Sequence, residues 1–269
     1  MTKVPMMRRC SIVAALLLTT ASPAMAQPAA PDRLERVVIV MRHGVRSAMS
    51  SPEALAQWNG RRWPAFDVPA GHLTTKGGRL VTLLGRYYRD LYRSAGLLRD
   101  GDCSVYYWAN LTQRTQATAA ALAKGLTPGC HAVVHQAASG PDPLFDAPLT
   151  PVARPDPERL QAAMAARIGG DLVAWDARQR VNLARFESLL LGCEGACTEA
   201  DRARAPKRLD RTPIAWGRDK DGLPLPTSPA LQVAGIAESL MMGYADGQDF
   251  ATLGWGFDTH ALTEALVVH

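Results

Sequence analysis

The stretch Arg36-Val37-Val38-Ile39-Val40-Met41-Arg42-His43-Gly44-Val45-Arg46 joins an apolar run directly to a cluster of polar donors. Residues 36–41 are largely β-branched and apolar, the pattern of a strand buried on both faces of a parallel or mixed sheet. Such a strand would deliver Arg42, His43 and Arg46 to its carboxyl end, the edge at which open α/β sheets bind ligands. The three side chains suit a phosphate ester. Arginine forks match phosphate oxygens bidentately, and an imidazole between them can attack phosphorus in line and carry the phosphoryl group covalently. Gly44 lets the backbone approach the anion, and the arginines stabilise charge on the group in transfer. The plain alternative is a surface basic turn with a passive histidine.

Downstream, residues 47–70 lack periodicity and carry several prolines and tryptophans, which predicts a long loop. Thr75 is placed to cap a helix from Lys76, with Leu80, Leu83, Leu84, Tyr87 and Leu91 as its apolar face. Ser104–Ala109 reads as a strand, Gln113–Ala123 as an Ala-rich helix stopped by Gly125 and Pro128, and Ala132–His135 as a further strand. Strand, helix, strand, helix, strand predicts an α/β domain over 27–150. Asp156–Leu191 has helical spacing with a break at Gly169-Gly170, residues 192–229 are polar and proline-dotted, and Leu231–Tyr244 is helical again. A Gly-Trp-Gly turn at 254–256 precedes a last helical stretch towards His269. Residues 151–269 are therefore expected to form a mainly helical insertion or cap.

A basic Lys3, Arg8 and Arg9 region, an apolar Ile12–Leu18 run and the small-residue site Ala24-Met25-Ala26 have the layout of a secretory signal peptide, residues 1–26. The apolar run is well short of the ~20 residues that span a bilayer, so no membrane anchor is expected after cleavage, and the location implied is periplasmic or secreted. A Pro/Ala-rich linker, Gln27–Pro31, follows. The leader's three cations supply more than half of the formal +5 charge, and no Lys/Arg run interleaved with aromatics marks a nucleic-acid surface. Beyond Cys10 there remain Cys103, Cys130, Cys193 and Cys197. An even number in an exported protein predicts two disulfides with three possible pairings, of which Cys103–Cys130 with Cys193–Cys197 is the most parsimonious. A zinc site is the rival, without a nearby histidine or a second CxxC pair to support it.

The segment from Val38 to Arg46 resembles the start of bacterial periplasmic phytases and glucose-1-phosphatases, in the histidine acid phosphatase family. Leu73-Thr74-Thr75-Lys76-Gly77-Gly78 resembles the family's LTPxG helix start. Cys103, Gln113-Arg114-Thr115 and Gly125-Leu126-Thr127-Pro128-Gly129-Cys130 follow its RTxxT segment, Pro141-Asp142-Pro143-Leu144-Phe145 its PDPLF, and Trp255-Gly256 has a counterpart. The resemblance implies a histidine-phosphatase-like α/β domain with a helical cap, and a metal-free, cofactor-free acid phosphomonoesterase acting on small phosphomonoesters. His43 would form the phosphohistidine. Arg42, Arg46 and Arg114 would hold the phosphate, the last from near a helix N-terminus, which suits an anion independently. Glu238 and His269 resemble pocket-lining positions.

Two departures stand out. Ser47-Ala48-Met49 occupies the place where the family places a proline one residue after the motif, which changes the stiffness of that loop. Family members are also considerably longer and carry a downstream His-Asp pair, whose Asp is the general acid and whose His completes the pocket. No His-Asp dipeptide occurs in these 269 residues. Asp258-Thr259-His260 has the residue types in another order and reads as a helix N-cap with a surface histidine. The resemblance thus implies a chain truncated at its C-terminus, with sheet edges and apolar helix faces uncovered. The alternative to a phosphatase is a catalytically inactive remnant that binds phosphate or phosphoesters.

Overall fold

The structure is a computed structural model that describes residues 33–256. The expectations for the signal peptide 1–26, the Gln27–Pro31 linker, Asp258-Thr259-His260, the last helical stretch and His269 lie outside the described residues.

A short helix α1 (Pro52–Ala56) interrupts the predicted 47–70 loop. Ser51 caps it and Pro52 opens it, a start signal on a helix too short for periodicity to reveal. The next helix, α2 (Thr75–Ser94), is capped by Thr74, one residue earlier than expected, whose hydroxyl accepts from the Gly77 amide. Strand β1 (Tyr107–Trp108), helix α3 (Gln113–Leu126) and strand β2 (Val134–His135) then form a parallel unit, with Tyr107 opposite Val134 and Trp108 opposite His135. This is the β-α-β order read from the sequence, and it is an α/β fold. The Cys103–Cys130 bond (Cα separation 5.6 Å) ties the approach to β1 to the exit of α3.

The remainder is mostly helical: α4 (Pro157–Arg167), α5 (Leu172–Arg178), α6 (Arg180–Leu191), α7 (Glu199–Arg202), α8 (Pro229–Asp246) and α9 (Phe250–Leu253). Gly169 and Gly170, both at positive φ, make the predicted break between α4 and α5. Cys193 and Cys197 close a small loop after α6. An antiparallel hairpin, β3 (Ala215–Arg218) and β4 (Pro224–Thr227), lies in the polar, proline-dotted stretch 192–229. Its turn is organised by Asp219, whose carboxylate accepts from the amides of Asp221 and Leu223, both at 2.9 Å. Among the described residues no helix is long and apolar enough to cross a membrane.

Two sequence expectations are corrected. Residues 36–41 belong to no strand. Val38 and Val40 are 82% and 85% exposed, whereas Ile39 and Met41 are half-buried, so only one face of the run is covered among the described residues. Second, the Leu80, Leu83, Tyr87 and Leu91 stripe of α2 is its exposed side. Its buried side carries Gly77, Val81 and Gly85, with Tyr88 and Tyr92 packed against the same cluster.

The reason is the crossing with α3. Gly85 and Gly125 meet there, and a Cβ on Gly125 would lie 2.1 Å from the Thr82 carbonyl oxygen, one on Gly85 2.5 Å from that of Leu122. The small-residue stripe wins because it lets the backbones close up, and Thr82 then donates across the crossing to the Ala121 carbonyl at 3.1 Å. Gly125→Ala is expected to destabilise the protein by about 3 kcal/mol, since backbone has to move. Gly235→Ala, in open space on α8, is expected to be neutral or stabilising by about 0.5–1 kcal/mol. Urea unfolding of the two variants separates them; equal midpoints would show that the crossing tolerates a methyl group.

A second core gathers Phe186, Leu189 and Leu190 of α6 with Val233, Ile236, Ala237 and Leu240 of α8, and takes in Ala48, Leu55 and Trp63. Ala48 is the point at which the chain leaving the motif is anchored in it.

Candidate active site

Between Arg42 and Ala48 the chain passes from exposed to fully buried, and every step is fastened. The Gly44 amide donates to Thr118 Oγ1 of α3 at 3.0 Å. A Cβ at Gly44 would lie 2.6 Å from Val81 Cγ2 of α2 and 3.0 Å from Leu73 Cδ1, so a side chain there would have to displace Val81. The Val45 carbonyl accepts from the Thr74 amide at 3.0 Å, which ties the motif to the start of α2. Arg46 makes an isolated antiparallel bridge with Leu73, and the Ser47 amide donates to the His72 carbonyl at 2.8 Å. Gln113, the first residue of α3, accepts from the Leu73 amide at 3.0 Å. The N-termini of α2 and α3 are thereby drawn to one place, a setting that favours an anion.

His43 Nδ1 lies 2.8 Å from the Gly44 carbonyl oxygen. A carbonyl only accepts, so in this bond Nδ1 carries the proton, and in the neutral ring the lone pair is then on Nε2. Burial pushes the His43 pKa down, and the positive charges of Arg114, Arg46 and Arg42 push the same way, against the raising effect of the Gly44 hydrogen bond. All three arginines singled out in the sequence thus act on His43 at once.

They are held differently. Arg42 is exposed. Arg46 is buried; one terminal nitrogen donates to the Ser47 carbonyl at 2.9 Å and the other to Glu238 Oε1 of α8 at 2.5 Å. Arg114, in the first turn of α3, has its Nε buried and without a hydrogen-bond partner among the described residues. Glu238, which the resemblance placed among the pocket-lining positions, is 40% exposed at its side chain and paired with Arg46.

Sequence reasoning missed Thr118 and the pairing of Arg46 with Glu238. Thr118 closes the RTxxT segment opened by Arg114, so its place in the motif was visible but its contact with Gly44 was not.

Residues 33–159 match the family model described as Histidine phosphatase superfamily (branch 2). Phytase AppA of Escherichia coli (strain K12) is 34% identical over 181 residues, covering 65% of this chain and 42% of the relative. A glucose-1-phosphatase of Salmonella typhimurium is 39% identical over 147 residues, 52% of this chain and 35% of the relative. Among solved structures, apo Hafnia alvei phytase superposes with a TM-score of 0.72 at 26% identity, over 88% of this chain and 59% of that one. Klebsiella sp ASR1 phytase gives 0.67 at 29% identity, over 84% and 56%. The chain therefore spans less than half the length of these curated relatives.

Proposed function

We propose that the protein, whose residues 33–159 match the family model described as Histidine phosphatase superfamily (branch 2), is an acid phosphomonoesterase working through a phosphohistidine on His43. The observation that carries this is the His43 ring, hydrogen-bonded at Nδ1 to Gly44 and under the charge of three arginines. In the first step Nε2 attacks phosphorus, a P–N bond forms, the ester P–O bond breaks and the alcohol leaves with its electron pair and takes up a proton. In the second, water attacks the phosphohistidine, the P–N bond breaks and inorganic phosphate departs. Arg42, Arg46 and Arg114 hold the non-bridging oxygens through both steps. The reaction as written uses no metal, so hydrolysis of p-nitrophenyl phosphate should survive EDTA. Activity that vanished with EDTA and returned with a divalent ion would overturn this route. The leader-like residues 1–26 and the two disulfides support a periplasmic or secreted location, with small phosphomonoesters as substrates.

A lowered His43 pKa fixes the pH dependence. The nucleophile is active when neutral, so activity should persist as pH falls below about 6.5, the ordinary imidazole value, and fade only at the lowered pKa. Arg42→Gln removes one of the charges that lower it, so the acid limb of kcat/KM should move to higher pH. A limb unmoved in that variant would show that a group other than His43 sets it.

Three arginines acting on His43 would also suit a second reading, a phosphate-binding protein without turnover. The leaving group separates the two. p-Nitrophenolate departs as a stable anion, whereas an alkoxide needs the general acid, whose loss costs roughly 10²–10⁴ in rate. Turnover of the aryl ester fits the first reading; phosphate binding with turnover of neither ester fits the second.

A further inference from the structure

Thr118 stands four residues after Arg114 on α3 and is 4% exposed. A β-branched residue gains little from a helix interior, and its buried hydroxyl needs partners. Here it has two, and their chemistry fixes the direction of each bond. The Arg114 carbonyl can only accept, so Thr118 Oγ1 donates to it at 2.7 Å. The Gly44 amide can only donate, so its proton goes to a Thr118 lone pair at 3.0 Å. The carbonyl of the same glycine then accepts from His43 Nδ1 at 2.8 Å. The bond to Arg114 is the ordinary back-bond of a helical threonine. The bond to Gly44 crosses 74 residues and has no local origin. One hydroxyl thus links the backbone of the third arginine to the glycine that orients the His43 ring.

We propose that Thr118 is a positioning residue for phosphoryl transfer: it anchors the Gly44 backbone through its amide, so that the Gly44 carbonyl stays in place and His43 keeps its proton on Nδ1 and its lone pair on Nε2. This rests on the phosphohistidine reading above. It predicts a split between chemistry and binding. Thr118→Val keeps the shape and branching, deletes both bonds and leaves the Gly44 amide unpaired. The ring loses its fixed orientation, so phosphoenzyme formation from p-nitrophenyl phosphate should slow roughly 10–100-fold, the size of effect that a misplacement of about an ångström produces. Arg114 retains its helical backbone and its guanidinium, so the Kd for inorganic phosphate should change by less than about threefold. Thr118→Ser keeps the hydroxyl and should restore the rate to within about threefold of the parent protein.

A valine variant as fast as the serine one would overturn the proposal. So would a serine variant as slow as the valine one, because the effect would then belong to packing of the lost methyl group. A second measurement does not depend on turnover. Long-range nitrogen–proton spectra of the imidazole, recorded on the full chain, report which ring nitrogen carries the proton. The Nδ1–H form is expected in the parent and in Thr118→Ser, and a mixture with the Nε2–H form in Thr118→Val. An unchanged tautomer in the valine variant overturns the proposal even if no protein tested turns over substrate. The expected tautomer response without any phosphoenzyme in the parent protein removes the phosphatase reading instead and leaves the positioning by Thr118 supported.

Discussion

His43→Ala is expected to lower p-nitrophenyl phosphate hydrolysis on the order of 10⁴-fold or more, to the background left by binding alone. The size follows from the role. In the proposed route His43 forms a covalent bond to phosphorus, and among the described residues no other nucleophilic side chain shares its hydrogen bond to Gly44 or its place among the three arginines. The arginines stay in the variant, so inorganic phosphate should bind within about threefold of the parent affinity. Stability should change little, because the ring is only partly buried and its hydrogen bond to Gly44 is to the adjacent residue. Added imidazole should restore part of the rate, since the deleted group is a freely diffusing small molecule. Hydrolysis that persisted in the purified variant would remove His43 from the chemistry.

Arg46→Ala should show the reverse profile, with binding lost before anything else. Arg46 is the buried arginine of the three, and its guanidinium is aligned from behind by the Ser47 carbonyl and Glu238. Removing one such fixed donor should weaken inorganic phosphate binding and slow transfer by about 10²–10³-fold. Arg46→Lys should recover little of this, because an ammonium cannot reproduce the two-pronged geometry. The stability cost should be nearer to about 1 kcal/mol than to the 3–5 kcal/mol of a fully buried pair, since Glu238 is 40% exposed and water can take up its carboxylate. Glu238→Gln, which keeps an acceptor for Arg46, should cost less than about tenfold in binding. Calorimetric titration with phosphate checks all three variants, and an Arg46→Ala protein that binds phosphate like its parent would take Arg46 out of the clamp.

The parts of the fold legible in the sequence are those fixed by local rules. The β-α-β unit from Tyr107 to His135 follows from an Ala-rich helix, stopped near Gly125 and Pro128, between two β-branched or aromatic segments. The break at Gly169-Gly170 and the last long helix, α8, were legible for the same reason. The buried face of α2 was not. Its leucine stripe has the stronger hydropathy, but the choice was made by Gly85 and Gly125, whose value lies in what they lack and appears only when two helices meet. Residues 36–41 read as buried on both sides because composition reports what a strand could bury, and the described residues cover one face. The hairpin around Asp219 was hidden by prolines that suit short, edge-type strands.

At the site, sequence spacing located the donors and not their tethers. Arg42, His43 and Arg46 lie within five residues and are legible at once, and Arg114 became so through its motif. Arg46 and Glu238 are 192 positions apart, and Gly44 and Thr118 are 74 apart. Nothing local foretells either contact, because each depends on how α3 and α8 are set against the loop. The tautomer of His43 likewise follows from a carbonyl that only the folded backbone brings to Nδ1.

The most direct test of a phosphohistidine on this chain is to trap it. The protein is mixed with p-nitrophenyl phosphate for one turnover and quenched in alkali, which preserves phosphohistidine, and its peptides are mapped by mass spectrometry. A phosphohistidine route leaves one added phosphoryl group on the peptide containing His43, lost on brief acid treatment and absent from His43→Ala. Hydrolysis with no phosphoryl group on His43, or with a stable one on another residue, would contradict it.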